Sequence, residues 1–251
     1  SKTCGGSSGG AAVALATRML SISDGSDMMG SLRNPAAWNN VYGLRPTWGL
    51  IPPEPSGEIF LSQLSTLGPM ARSPKDLAML LDVQANCAEN RSFISSATTF
   101  SNFTEKPIMS GIKVGWLGDW GGTLAFEEDL LDLSQEGLNE MSSMGAVIHD
   151  LRAPFEMNDI WTSWSELRAW QIANDLFDIY EDLEYRKYLK PEALWEIERG
   201  LSLSGQDIYN SALKKSKWHN SASELFENFD LLVLPSTQVW PFDISEIYPK
   251  S

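Results

Sequence analysis

The sequence predicts an α/β fold with a mixed, largely parallel central sheet covered by helices on both sides. Three observations point there. The runs GIKVGWL (111–117), GAVIHDL (145–151) and DLLVLPS (230–236) read as strands. A helical stretch from about Ala125 to Ser143 separates the first two, the order of a parallel pair joined by a crossover. Residues 157–226 read as mostly helical, with breaks near Pro191 and Gly205.

Taken in order, AAVALATRML (11–20) is a short apolar run of good helix formers, opened by the glycines of GGSSGG (5–10). SDGSDMMGSLRNPA (23–36) alternates like no surface strand and recurs at no helical spacing, so it reads as irregular. Residues 39–55 are loop-rich, with Gly and Pro at turn positions. SPKDLAMLLDVQANC (73–87) is a helix with Ser73 as N-cap and Pro74 in its first position. Residues 88–107 form a polar surface loop. The 125–143 helix carries Glu127, Glu128 and Asp129 near its start and an apolar stripe of Phe126, Leu130, Leu133, Leu138 and Met141. DLLVLPS is continuously apolar, which predicts burial on both faces.

Bulk properties bound the partners. The 251 residues are 43% hydrophobic and 21% charged, as in an ordinary globular chain, and are compatible with one domain or two small ones, a single domain over residues 1–251 being the expectation. A net charge of −14 argues against unaided binding to nucleic acid or an anionic membrane. No apolar run approaches a membrane span. Cys4 and Cys87 make no disulfide framework, so a reducing, cytoplasmic setting is expected. The histidines, His149 and His219, form no metal-spaced cluster with cysteine, and no metal or cofactor is expected.

Chemistry concentrates in three early blocks: GGSSGG at 5–10, Gly30–Ser31 with the residues after it, and Gly43–Leu44–Arg45–Pro46 with Trp48–Gly49. A serine hydroxyl is a poor nucleophile at neutral pH and needs a base within hydrogen-bond reach. It also needs backbone N–H groups aimed at the developing oxyanion. A turn over Met28, Met29, Gly30 and Ser31 would line up such groups, with Gly30 supplying freedom of φ. A second serine in the glycine-rich loop would relay the proton. GGSSGG also matches G-x-S-x-G, centred on Ser7 and on Ser8, but a nucleophile elbow needs a strand immediately before it, and SKTC precedes it here.

These blocks resemble the amidase signature family of serine hydrolases. That family carries GGSSGG and then a block of the type G-[ST]-D-x-[GM]-G-S-x-R-x-P, which reads here from Gly25 to Pro35. GLRPTWGLIP (43–52), QLSTLGPMARSPKDLAMLLD (63–82) and DLLVLPSTQVWPF (230–242) match in the same order, most closely over residues 1–87. The resemblance implies a Ser–Ser–Lys triad with Ser31 as nucleophile and Ser7 bridging it to a lysine, through a cis peptide after Gly6. It implies an oxyanion hole from the N–H groups of Met28, Met29, Gly30 and Ser31. Asp27 would order the turn, Arg33 would brace it, Ser8 would support it, and Trp240 would border the substrate cleft. Met29 stands where the family often has glycine, but the donors are backbone groups.

The implied activity is hydrolysis of a small-molecule carboxylic amide to an acid and an amine or ammonia. The family's lysine lies well upstream of GGSSGG, and Lys2 is not at its place. Lys75, Lys106 and Lys113 carry no matching motif. The chain therefore reads as a fold incomplete at both ends, expected to expose sheet edge and apolar surface and to associate, as a homo-oligomer or otherwise. A non-catalytic homologue and a component of an amidotransferase complex are the alternatives. The helical region 157–226 is where substrate choice would be set.

Overall fold

The computed structural model describes residues 1–52, 58, 60–86, 99–103 and 109–249. The described residues form two compact units. One comprises Ser1–Ile108, Ala125–Gly137 and Pro235–Ser251; the other comprises Met109–Leu124 and Leu138–Leu234.

The first unit is built on β1 (Ile22–Asp27), β2 (Tyr42–Gly43) and β3 (Thr66–Ala71), an antiparallel sheet in the order β1-β3-β2. This is a correction: β1 falls in the stretch that reads as irregular, and no strand is expected at 66–71. Nothing in Ile-Ser-Asp-Gly-Ser-Asp alternates; the ladder to β3, from Ile22↔Ala71 to Asp27↔Thr66, makes it a strand. β3 carries Pro69 in the centre of the sheet, where proline is disfavoured. Its carbonyl accepts the Leu44 N–H at 3.0 Å, so the donor that proline lacks faces the end of β2, which stops at Gly43, and not β1.

Helices α1 (Gly9–Ala16), α2 (Arg33–Trp38) and α3 (Pro74–Asn86) pack on this sheet. Ala12, Leu15, Leu32, Ala36 and Met70 form one core cluster, and Leu50, Ile51 and Leu81 another. α3 starts where its cap predicts: Ser73 Oγ accepts the Asp76 N–H at 3.1 Å and donates to the Asp76 carboxylate at 2.8 Å. Ser73→Ala is expected to remove about 1 kcal/mol. The check is a lower urea midpoint with an unchanged slope.

The second unit holds β4 (Lys113–Trp116), β5 (Val147–Asp150) and β6 (Leu231–Val233), a parallel sheet in the order β5-β4-β6. These are the strands read from sequence, each shorter than its apolar run. β6 lies at the sheet edge among the described strands and its Leu231 is 42% exposed, so it is not buried on both faces. Among the described residues the strands form two ladders, one antiparallel and one parallel, and the α/β class expected from the sequence holds.

α4 (Leu130–Ser143) begins at Leu130, not near Ala125. Asp129 takes a φ of +66°, and the Glu127 carboxylate accepts the Trp240 N–H at 2.6 Å. The acidic run therefore makes the turn before the helix. Leu138 and Met141 pack with Val114 and Ala146. The helical region resolves into α5 (Met157–Asp175), α6 (Phe177–Glu181), α7 (Leu183–Arg186), α8 (Pro191–Ser202) and α9 (Gly205–Phe226). Its breaks fall at Pro191 and Gly205 as read, the second sharpened by a Ser204–Asp207 capping box. The polar stretch 88–107 lies mostly outside the described residues. Among the described residues, no helix is long and apolar enough to cross a membrane.

Candidate active site

One carboxylate organises the turn that follows β1. Asp27, the last residue of β1, is fully buried. Its Oδ1 accepts the Gly30 N–H at 2.8 Å, and its Oδ2 accepts the N–H groups of Leu32 at 3.2 Å and Arg33 at 3.4 Å. The Arg33 guanidinium closes on it in a fork, Nε to Oδ2 at 3.0 Å and Nη2 to Oδ1 at 2.9 Å. Arg45 reaches the same residue: Nη1 donates to the Asp27 carbonyl and lies 3.3 Å from Oδ1, while Nη2 donates to the Leu64 carbonyl at 2.8 Å. Burial pushes the Asp27 carboxyl up, but the Arg33 guanidinium and the Gly30 and Leu32 N–H groups outweigh it. They hold the group well below the usual carboxylate range.

The turn itself spans Met28 to Leu32. Gly30 sits at φ +92°, a conformation that favours glycine, with its N–H directed to Asp27. This N–H, one of the four expected oxyanion donors, already has a carboxylate partner. The N–H groups of Met29 and Ser31 make no hydrogen bond among the described residues. Ser31 is half-buried and the Met29 side chain is half-exposed. Leu32 is fully buried against Leu15 and Met70, a contribution of about 1.5–3 kcal/mol that anchors the far end of the turn.

The glycine-rich loop is docked on this turn by Ser8. Its N–H donates to the Ser31 carbonyl at 3.2 Å and its Oγ to the Ser26 carbonyl at 3.4 Å. Standing at the N-cap position of α1, Ser8 makes no side-chain capping bond. Immediately before it, the Gly6–Ser7 peptide is cis and Ser7 is exposed. Among the described residues, the Ser7 and Ser31 hydroxyls make no hydrogen bond. Gly25 lets β1 approach this closely: a Cβ there would stand 2.4 Å from Ser8 Oγ and 2.9 Å from Ser8 Cβ.

Trp240 lines a cavity of about 290 Å³ with Trp38, Leu130, Leu133 and Thr237 among its walls; neither Ser7 nor Ser31 borders it. The Trp240 indole donates to the Glu128 carbonyl at 3.0 Å, and that of Trp38 to the Val239 carbonyl at 3.1 Å. Of the internal lysines, Lys75 lies in the first turn of α3, Lys113 opens β4, and Lys106 is outside the described residues. Arg45 is the site residue that sequence reasoning missed. It sits in the third of the early blocks, where no role attaches to it from sequence; the available signal was an acid expected to order the turn and a second cation in the next motif.

Fold and geometry together define an α/β protein that presents a serine at the end of a turn gripped by a buried acid. The chain belongs to the Amidase family, whose model matches residues 1–250. The second form of the A component of glutamyl-tRNA(Gln) amidotransferase from Clostridium acetobutylicum is 30% identical over 269 residues, covering 96% of this chain and 55% of that protein. The A component of the same enzyme from Saccharolobus solfataricus is 27% identical over 277 residues, covering 98% and 55%. Among solved structures, a bacterial aryl acylamidase of the amidase signature family superposes with a TM-score of 0.85 at 22% identity, over 96% of this chain and 51% of that one. The 6-aminohexanoate cyclic dimer hydrolase complexed with substrate gives 0.84 at 21%, over 99% and 54%. The chain spans about half the length of these relatives.

Proposed function

We propose that this chain carries the nucleophile turn of an amidase that cleaves a small carboxylic amide through an acyl-enzyme on Ser31. One observation carries the reading: the Asp27-gripped turn that contains Ser31 is hydrogen-bonded, through Ser8, to the loop that contains Ser7. Ser31 Oγ attacks the amide carbonyl, and its proton passes through Ser7 to a neutral lysine that the family pattern places upstream of GGSSGG. Backbone N–H groups of the turn hold the tetrahedral oxyanion, with those of Met29 and Ser31, which make no hydrogen bond among the described residues, the best placed. Collapse expels the amine, which takes the proton back through the same relay. Water then hydrolyses the ester. Trp240 is proposed to border the substrate cleft, and substrate choice is proposed to be set in the region 157–226.

The test is a fluorophosphonate probe on the full-length protein. Wild type is expected to label and Ser31→Ala to lose labelling; labelling that persists in Ser31→Ala overturns the assignment. A second reading, an amidase working as one component of an amidotransferase, is favoured by the names of the relatives at 27–30% identity. Ammonia release from glutamine, set against arylamine release from an anilide, separates the two.

A further inference from the structure

We propose that Arg45 is a positioning residue that sets the plane of the first peptide in the nucleophile turn, and so the aim of the backbone donors that meet the oxyanion. This inference rests on the amidase reading and deepens it. Arg45 is the group that holds the main chain of Asp27 as well as its side chain. Nη1 donates to the Asp27 carbonyl and lies beside Oδ1, and Nη2 is pinned to the Leu64 carbonyl at 2.8 Å. In a trans peptide the C=O and the following N–H point in opposite directions. Fixing the Asp27 carbonyl therefore fixes the Met28 N–H on the other side of that plane, and with it the path of the chain into Met29, Gly30 and Ser31.

Arg33 cannot substitute. Its contacts are all to the Asp27 carboxylate, and its side chain is half-exposed where Arg45 is mostly buried. Lysine cannot substitute either. A single ammonium reaches one acceptor well, whereas the planar guanidinium meets the Asp27 carbonyl and the Leu64 carbonyl from two nitrogens of one fork. Leu64 lies two residues before β3, so Arg45 ties the turn to the strand that is the sheet's centre.

The experiment compares full-length wild type, Arg45→Lys and Arg45→Ala. Three quantities are read: fluorophosphonate labelling rate, steady-state kinetics on an aryl anilide, and inhibition by a trifluoromethyl ketone, which forms an oxyanion on addition. Arg45→Lys is expected to lower kcat and the labelling rate at least about tenfold, short of the 10²–10³ for outright loss of a donor, with KM little changed. Trifluoromethyl ketone affinity is expected to fall by the same factor as kcat/KM. Should Arg45→Ala fail to fold, Arg45→Lys, which keeps the charge beside Asp27, carries the test. A labelled wild type with Arg45→Lys at the wild-type rate, or with lost activity but undiminished ketone affinity, overturns the role of Arg45 alone. An unlabelled wild type overturns the amidase reading, and this role with it.

Discussion

Asp27→Asn is expected to lower the stability of the full-length protein by about 3–5 kcal/mol, the usual effect of removing one partner from a buried ion pair. The carboxylate is fully buried and faces both Arg33 and Arg45. An asparagine of the same shape would turn one acceptor into an NH2 group pointed at N–H donors, and leave Arg45 without its counter-charge. Against a total stability of about 5–15 kcal/mol this is a large fraction. The sign with pH follows from the depressed native value. The stabilisation from Asp27 is fully present at neutral pH and is lost as the pH falls below about 4, the unfolded carboxylate value, toward the lower native one. Denaturant melts at pH 7 and pH 3 check both parts. The variant should be much weaker at pH 7, and its deficit should shrink at pH 3. A deficit equal at both pH values would sink the electrostatic account.

Gly25→Ala is expected to reduce Ser31 reactivity about a hundredfold, the scale of an ångström of misplacement at a reacting group. The added Cβ would lie 2.4 Å from Ser8 Oγ, 2.9 Å from Ser8 Cβ and 2.8 Å from Leu32 Cδ2. The hydroxyl can rotate away; the Ser8 Cβ cannot. Relief requires moving Ser8, and its N–H is the bond to the Ser31 carbonyl. Overpacking adds a stability loss of about 1–3 kcal/mol. Labelling rate and thermal melts read the two effects separately. Gly25→Ala combined with Ser8→Gly, which removes the contacting atoms, should recover part of the rate. An unchanged rate in the single variant refutes the coupling between β1 and the loop.

What the sequence made legible follows a physical divide. Elements whose residues carry their own signal were readable: α3 from Ser73 and Pro74, the breaks at Pro191 and Gly205, the parallel strands from apolar runs. Elements created by a distant partner were not. β1 is polar and becomes a strand through its pairing with β3, and β3 hides behind Gly68 and Pro69. The start of α4 depends on Trp240, more than a hundred residues away in the chain, taking the Glu127 carboxylate. The same divide runs through the site. The cis peptide after Gly6, expected from the resemblance that the spaced motifs carry, is present. The inward N–H of Gly30 and the reach of Arg45 were not legible, because both depend on how the chain closes around Asp27.

The grip on Asp27 also separates two jobs that most reactive turns combine. The backbone from Met28 to Ser31 is held from the protein side, by an acid and two cations that make no use of the methionine side chains. Position 29 is therefore free to drift in evolution without dismantling the turn. The Met29 side chain, 50% exposed beside the serine, can change size and polarity without loosening the grip on Asp27. For directed evolution this makes Met29 the first position of the turn to randomise.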